Sequence, residues 1–167
     1  MIKRSISQDI LHISIERFGD LDISQPFFDS FRDSYEPYYS EWVELKKDDK
    51  VYTVKESDEL VGFMKLKPEF EEEDYSDIYP LLSPARRLKI CSLKVTAHNL
   101  NIGSWFMSVA LLEAKGMGAS EIYATLLSDC DYKDSLVKYF TKWGFQFHGK
   151  KHSHQIIEDV YKKVLNT

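Results

Sequence analysis

The chain has 167 residues, is 43% hydrophobic, and carries 22 Lys and Arg against 27 Asp and Glu, for a formal charge of -5. That is enough apolar material for one domain with a true core and too little length for two, so a single unit over residues 1–167 is expected. The mixing of acids and bases argues against a phosphate-tracking surface and bulk nucleic-acid binding, and no apolar run reaches the length of a membrane span. The first ten residues, MIKRSISQDI, lack the apolar core and cleavage site of a secretory signal, so a cytoplasmic location is expected. Cys91 and Cys130 stand far apart in no metal or redox spacing and are expected to remain thiols.

In chain order, Leu11, Ile13 and Ile15 alternate with His12, Ser14 and Glu16, the period of a half-buried strand. Residues 26–47 carry aromatics at helical spacings, with Pro26 and Pro37 in first-turn positions and Ser24 as a cap, which predicts two short helices. Residues 51–55 and 60–66 are rich in β-branched and aromatic side chains around the polar stretch 56–59, an antiparallel hairpin. Residues 68–86, with the acidic run EFEEEDYSD and then YPLLSPARR, read as a long loop or insertion on the same domain.

Residues 88–127 are the most informative. Leu88 and Ile90 share one alternation phase while Cys91, Leu93 and Val95 share the other, so an unbroken strand would point its apolar residues to both faces. Either the strand is buried on both faces, or one extra residue near Ile90 or Cys91 makes a β-bulge, a device that bends strands beside functional sites. After the polar loop TAHNLN, residues 102–115 are apolar nearly all round, which predicts an enclosed helix ended by Gly116 and Gly118. EIYATLL then reads as a buried strand, completing a β-α-β unit with a right-handed crossover. Residues 133–143 make a further amphipathic helix ended by Gly144, and Phe145, Phe147 and EDVYKKVL supply final strands. His148, His152 and His154 lack the companion ligands of a metal site, and no metal is implied. The class is mixed α/β (α+β).

This element order resembles the GNAT acetyltransferase superfamily over nearly the whole chain. The resemblance implies a mixed, centrally splayed sheet of about six to seven strands with flanking helices. It implies acetyl-coenzyme A as co-substrate, held by the bulged strand and by a loop of pattern [Q/R]-x-x-G-x-G/A. The matching positions are His98, Asn99, Leu100, Asn101, Ile102 and Gly103, followed by Ser104. Of the usual glycines only Gly103 remains; Asn99 and Asn101 stand at the others, and Asn tolerates left-handed backbone well. Amides at the helix start would favour the pyrophosphate, and the pantetheine arm would lie along Leu93, Lys94 and Val95.

The family's helix ending in tyrosine-x-x-x-Gly-Phe is matched by YFTKWGF, with Phe140 at the tyrosine position. The neighbouring Tyr139 is then the candidate general acid, and Lys133 falls where the family places a polar residue against the cofactor. Glu69, Glu71, Glu72, Glu73, Asp74 and Asp77 lie on the side that receives the acceptor. They read as a solvated face or as a surface attracting a cationic amine and supplying a base. Tyr38, Tyr39 and Trp42 suit core packing or the wall of that pocket. The implied activity is N-acetyl transfer to a small-molecule or peptide amine by direct attack in a ternary complex. The alternative is a non-catalytic acyl-coenzyme A-binding or protein-interaction module on the same fold. No membrane partner is implied, and a homodimer is compatible with the fold.

Overall fold

The computed structural model describes residues 11–35, 37–97, 101–153 and 155–166. Its strands are β1 (Ile13–Arg17), β2 (Lys50–Glu56), β3 (Glu59–Glu69), β4 (Ile78–Tyr79), β5 (Arg87–Val95), β6 (Glu121–Leu127), β7 (Gln146–Ser153) and β8 (Ile156–Val164). They form one sheet in the order β1-β2-β3-β5-β6-β8-β7-β4. β5 and β6 are parallel; the other neighbouring pairs are antiparallel. The helices are α1 (Asp29–Tyr35), α2 (Tyr38–Leu45), α3 (Ile102–Gly116) and α4 (Lys133–Lys142).

Strand alternation sorts the helices onto the two faces. Tyr52 and Val54 of β2, with Met64 and Leu66 of β3, pack under Phe106, Met107 and Ala110 of α3 and Phe140 of α4. Their sequence neighbours Val51 and Phe63 turn the other way, against Phe28, Phe31, Tyr39 and Val43 around α1 and α2. The β2–β3 turn uses Ser57 and Asp58, both at positive φ, as a two-residue hairpin turn of the right twist requires. Gly144, at φ +87, closes α4, and the Phe145 amide reaches back to the Phe140 carbonyl at 3.0 Å.

Four expectations change. The stretch 68–86 is more structured than a loop: β3 runs on to Glu69, β4 pairs with β7, and Tyr75, Ile78 and Leu82 pack on Tyr123 and Val160. Among the described residues the sheet therefore has eight strands, more than the expected count. α3 is not enclosed; it buries Ile102, Phe106, Met107, Ala110 and Ala114 along one face, while Leu112 is 69% exposed. Ser24 is no helix cap, since its hydroxyl and amide both turn back to Asp22 Oδ1 at 2.5 and 3.0 Å, and Gln25 precedes the 3-10 turn Pro26–Phe28.

Candidate functional site

The phase break in β5 is a bulge at Cys91. Leu66 faces Ile90 and Lys65 faces Ser92, so Cys91 is the extra residue against β3. The parallel pairing of β5 with β6 runs from Arg87–Glu121 to Ile90–Ala124 and stops there. Past the bulge, β5 pairs with β3 alone, while β6 continues with β8 as far as Leu127. The two strands part, leaving the inner edge of residues 92–95 without a strand partner.

Two cavities open at this parting. The first, a groove of about 670 Å³, runs along Leu93, Lys94 and Val95 to Asn101, Gly103 and Ser104 at the start of α3, with α4 as its far wall. Asn101 makes no side-chain cap on α3, and the first turn, with the positive end of the helix dipole, borders the groove at Asn101, Gly103 and Ser104. Among the described residues the lining holds Lys94 and Lys142 and no acid. Lys94 is anchored by the Phe27 carbonyl at 2.5 Å and Ser30 Oγ at 2.9 Å, and burial pulls its pKa down. A groove with a bare strand edge along one side and the positive end of a helix dipole at its end suits an elongated ligand with an anionic end.

The second cavity, about 600 Å³, lies on the α1 and α2 face of the sheet. Phe31, Leu93, Tyr132 and Leu136 border both cavities. Tyr38, Tyr39 and Trp42 form part of its wall, and its floor carries Lys65, Lys67, Lys89, Lys151 and Glu158. None of the acidic run 69–77 lines it. Glu69 is instead 2% exposed and takes hydrogen bonds from Tyr75, at 3.2 Å, and Tyr123, with Lys67 at 3.0 Å. Glu73 pairs with Lys67 at 2.7 Å, and the Asp74 carboxylate accepts from the Ser76 amide at 2.9 Å. These acids are structural partners in the fold.

No family model matches the sequence, and no curated protein is significantly similar to it. Solved structures are similar in fold. An N-acetyltransferase from Staphylococcus aureus superposes with a TM-score of 0.63 at 15% identity, covering 94% of this chain and 99% of that one. An IAA acetyltransferase from Bacillus cereus gives 0.60 at 14% identity, covering 93% and 100%. A GNAT family acetyltransferase from Elizabethkingia anophelis with acetyl-CoA bound gives 0.55 at 14% identity, covering 92% and 98%. The chain has the GNAT fold.

Within that fold, Leu93, Lys94, Val95, Asn101, Gly103 and Ser104 lie together at the groove. Ile102 is fully buried beneath it and anchors the helix start. His98, Asn99 and Leu100 lie outside the described residues. Lys133 is turned away from the groove, its ammonium held by Asp159 at 2.7 Å and the Ser128 carbonyl at 3.1 Å. Tyr139 does reach the groove, but its hydroxyl donates to the Gly103 carbonyl at 2.7 Å and its ring packs so closely that a Cβ at Gly103 would stand 3.1 Å from Cε2. Gly103 therefore makes room for Tyr139. Phe140 is 1% exposed and borders the second cavity from below.

Sequence reasoning overlooked Tyr132, which stands at the junction of the cavities with its hydroxyl 3.2 Å from Ser34 Oγ. Burial raises its pKa, which keeps the phenol protonated. The lysine floor was overlooked too, although period-two alternation through Phe63, Lys65 and Lys67 carries the signal: charges continue a face that begins in the core.

Proposed function

We propose that this chain transfers the acetyl group of acetyl-coenzyme A to an amine. The observation that carries the reading is the parting of β5 and β6 after Cys91, beside which the groove at the N-terminal end of α3 meets a second cavity along a strand edge that β6 leaves unpaired. The pyrophosphate would take the α3 amides, and the pantetheine would add to residues 93–95 as a strand-like ligand. The thioester would then lie at the junction near Leu93 and Tyr132. A β5 amide there can polarise the carbonyl as charge develops on its oxygen.

The amine must attack as its neutral form. Lysines lining the second cavity disfavour a further ammonium there, which promotes that form, and Glu158 is the buried carboxylate facing the cavity that can receive the proton through water. Attack forms the C–N bond, and the C–S bond breaks. The departing thiolate takes a proton from Tyr132 or from solvent, needing little help because a thiol pKa near ~8.5 already makes it a fair leaving group. Positioning of the two substrates supplies most of the rate.

A second reading, acyl-coenzyme A binding without turnover, is favoured by one feature: the Tyr139 hydroxyl is committed to Gly103, and Phe140 offers none. A thermal shift with acetyl-coenzyme A followed by thiol release across a panel of amines and peptides separates the two. Binding with thiol release supports transfer; binding without release supports the second reading; no binding refutes both.

A further inference from the structure

Lysine on an interior strand normally faces solvent, yet here strand after strand turns one inward on the same face. Lys65 and Lys67 of β3, Lys89 of β5 and Lys151 of β7 all line the second cavity. Lys67 and Lys89 are direct cross-strand partners, an arrangement that costs stability when both are charged. A purely structural ion network would give each ammonium its carboxylate. Lys65 has Asp49 at 3.1 Å, and Lys67 has Glu69 and Glu73 at 3.0 and 2.7 Å.

Lys89 makes no salt bridge within 4 Å among the described residues; it approaches the Tyr123 ring at 5.9 Å, hydrogen-bonds with Lys151 and feels Cys91, Glu158 and Glu69 at longer range, while Lys151 has Asp77 at a loose 3.8 Å. Both face Glu158, which is also bonded by the Tyr35 hydroxyl at 3.1 Å. Among the described residues five lysines, Lys46, Lys65, Lys67, Lys89 and Lys151, line the cavity against two carboxylates, Glu41 and Glu158, and neither Lys89 nor Lys151 has a close ion pair with either acid. Burial and the like charge of Lys89 push the Lys151 pKa down, whereas for Lys89 burial is outweighed by Cys91, Glu158 and Glu69, which hold its ammonium charged. A cavity of about 600 Å³ is the size of a small-molecule site.

We propose that the acceptor is a small amine bearing a carboxylate or phosphate, and that this anion seats on Lys89 and Lys151. The proposal rests on the acetyl-transfer reading and deepens it by naming the acceptor class. It reverses the charge preference expected from the acidic run, because none of those acids lines the cavity and Glu69 and Glu73 are paired with Lys67.

The test uses the full chain, with thiol release measured for O-phosphoethanolamine, L-glutamate and β-alanine against n-butylamine and putrescine. An anionic amine should be preferred by about tenfold or more in kcat/KM, with the phosphate and carboxylate probes distinguishing which anion fits. Lys89→Gln and Lys151→Gln should each raise its KM by about tenfold, Lys89→Arg should retain most of the affinity, and ionic strength well above about 0.15 M should act like the Gln variants. Independently of turnover, saturating L-glutamate or O-phosphoethanolamine should slow labelling of Lys89 and Lys151 by an amine-reactive ester, read by mass spectrometry, whereas putrescine should not. Absence of an acetyl-coenzyme A thermal shift refutes the transfer reading while the labelling still reports on the anion site. Preference for putrescine or n-butylamine, or labelling unaffected by both anionic probes, overturns the anion proposal and leaves transfer standing.

Discussion

Replacing Tyr139 by Phe removes one hydroxyl and keeps the ring that fills the space over Gly103. The lost interaction is a single half-buried hydrogen bond of 2.7 Å to a carbonyl within the first turn of α3. Such a bond contributes about 0.5–1.5 kcal/mol, and at about 2–4 °C per kcal/mol for a domain of this size the melting temperature should fall by about 1–6 °C. Because that hydroxyl orients the α3 start, the KM for acetyl-coenzyme A should rise a few-fold while kcat holds within about threefold. Tyr132→Phe also loses one part-buried hydrogen bond, to Ser34, so its melting temperature should fall by a similar or smaller amount, but it should leave the KM for acetyl-coenzyme A nearly unchanged and lower kcat by about tenfold or more, the modest end of general-acid effects because the thiolate departs readily. Differential scanning fluorimetry and steady-state thiol release on both variants decide the matter. A hundredfold fall in kcat for Tyr139→Phe with unaltered stability would refute the reasoning, since the hydroxyl would then have to leave Gly103 and act on the reacting atoms.

Asp159 gives a pH prediction: burial pushes its pKa up, but hydrogen bonds from Lys133, Lys150 and Ser128 outweigh that and hold it at about 2. Its folded pKa lies below the unfolded value of about 3.9, so it contributes about 2 kcal/mol above pH ~4 that is lost as the pH falls toward 2. The stability advantage of the unaltered chain over Asp159→Asn, followed by urea unfolding, should shrink across that window; a constant difference would contradict the assignment. Gly149→Ala would drive a Cβ into the Tyr79 carbonyl, with Pro80 Cδ only 2.6 Å away. It should cost about 1–3 kcal/mol by the same assay and loosen β4 from β7. Gly144→Ala, at positive φ, should cost about 1 kcal/mol and speed amide exchange at the end of α4.

The centre of the fold was legible because its signals are local. The phase change between Ile90 and Cys91 is a parity argument, and parity is what a bulge alters; the structure places the extra residue at Cys91. The α3 boundaries were legible from its apolar run and Gly116, though its enclosure was overread because apolar residues such as Leu112 can face outward on a short domain. β4 escaped notice because two residues pairing with a distant strand leave no periodicity, and Glu69 looked solvent-bound because its partners, Tyr75 and Tyr123, are six and 54 residues away. Lys133 and Tyr139 were placed by analogy with a motif, yet what each side chain touches depends on Asp159 and Gly103, contacts that no helical spacing reveals.

The central claim is that the edge opened by Cys91 and the start of α3 together bind acetyl-coenzyme A. Hydrogen exchange of the backbone with and without saturating acetyl-coenzyme A tests it most directly. The account predicts slowed exchange at residues 92–95 and 101–104, with little change in β7 and β8; protection confined to other segments, or none at saturation, would contradict it.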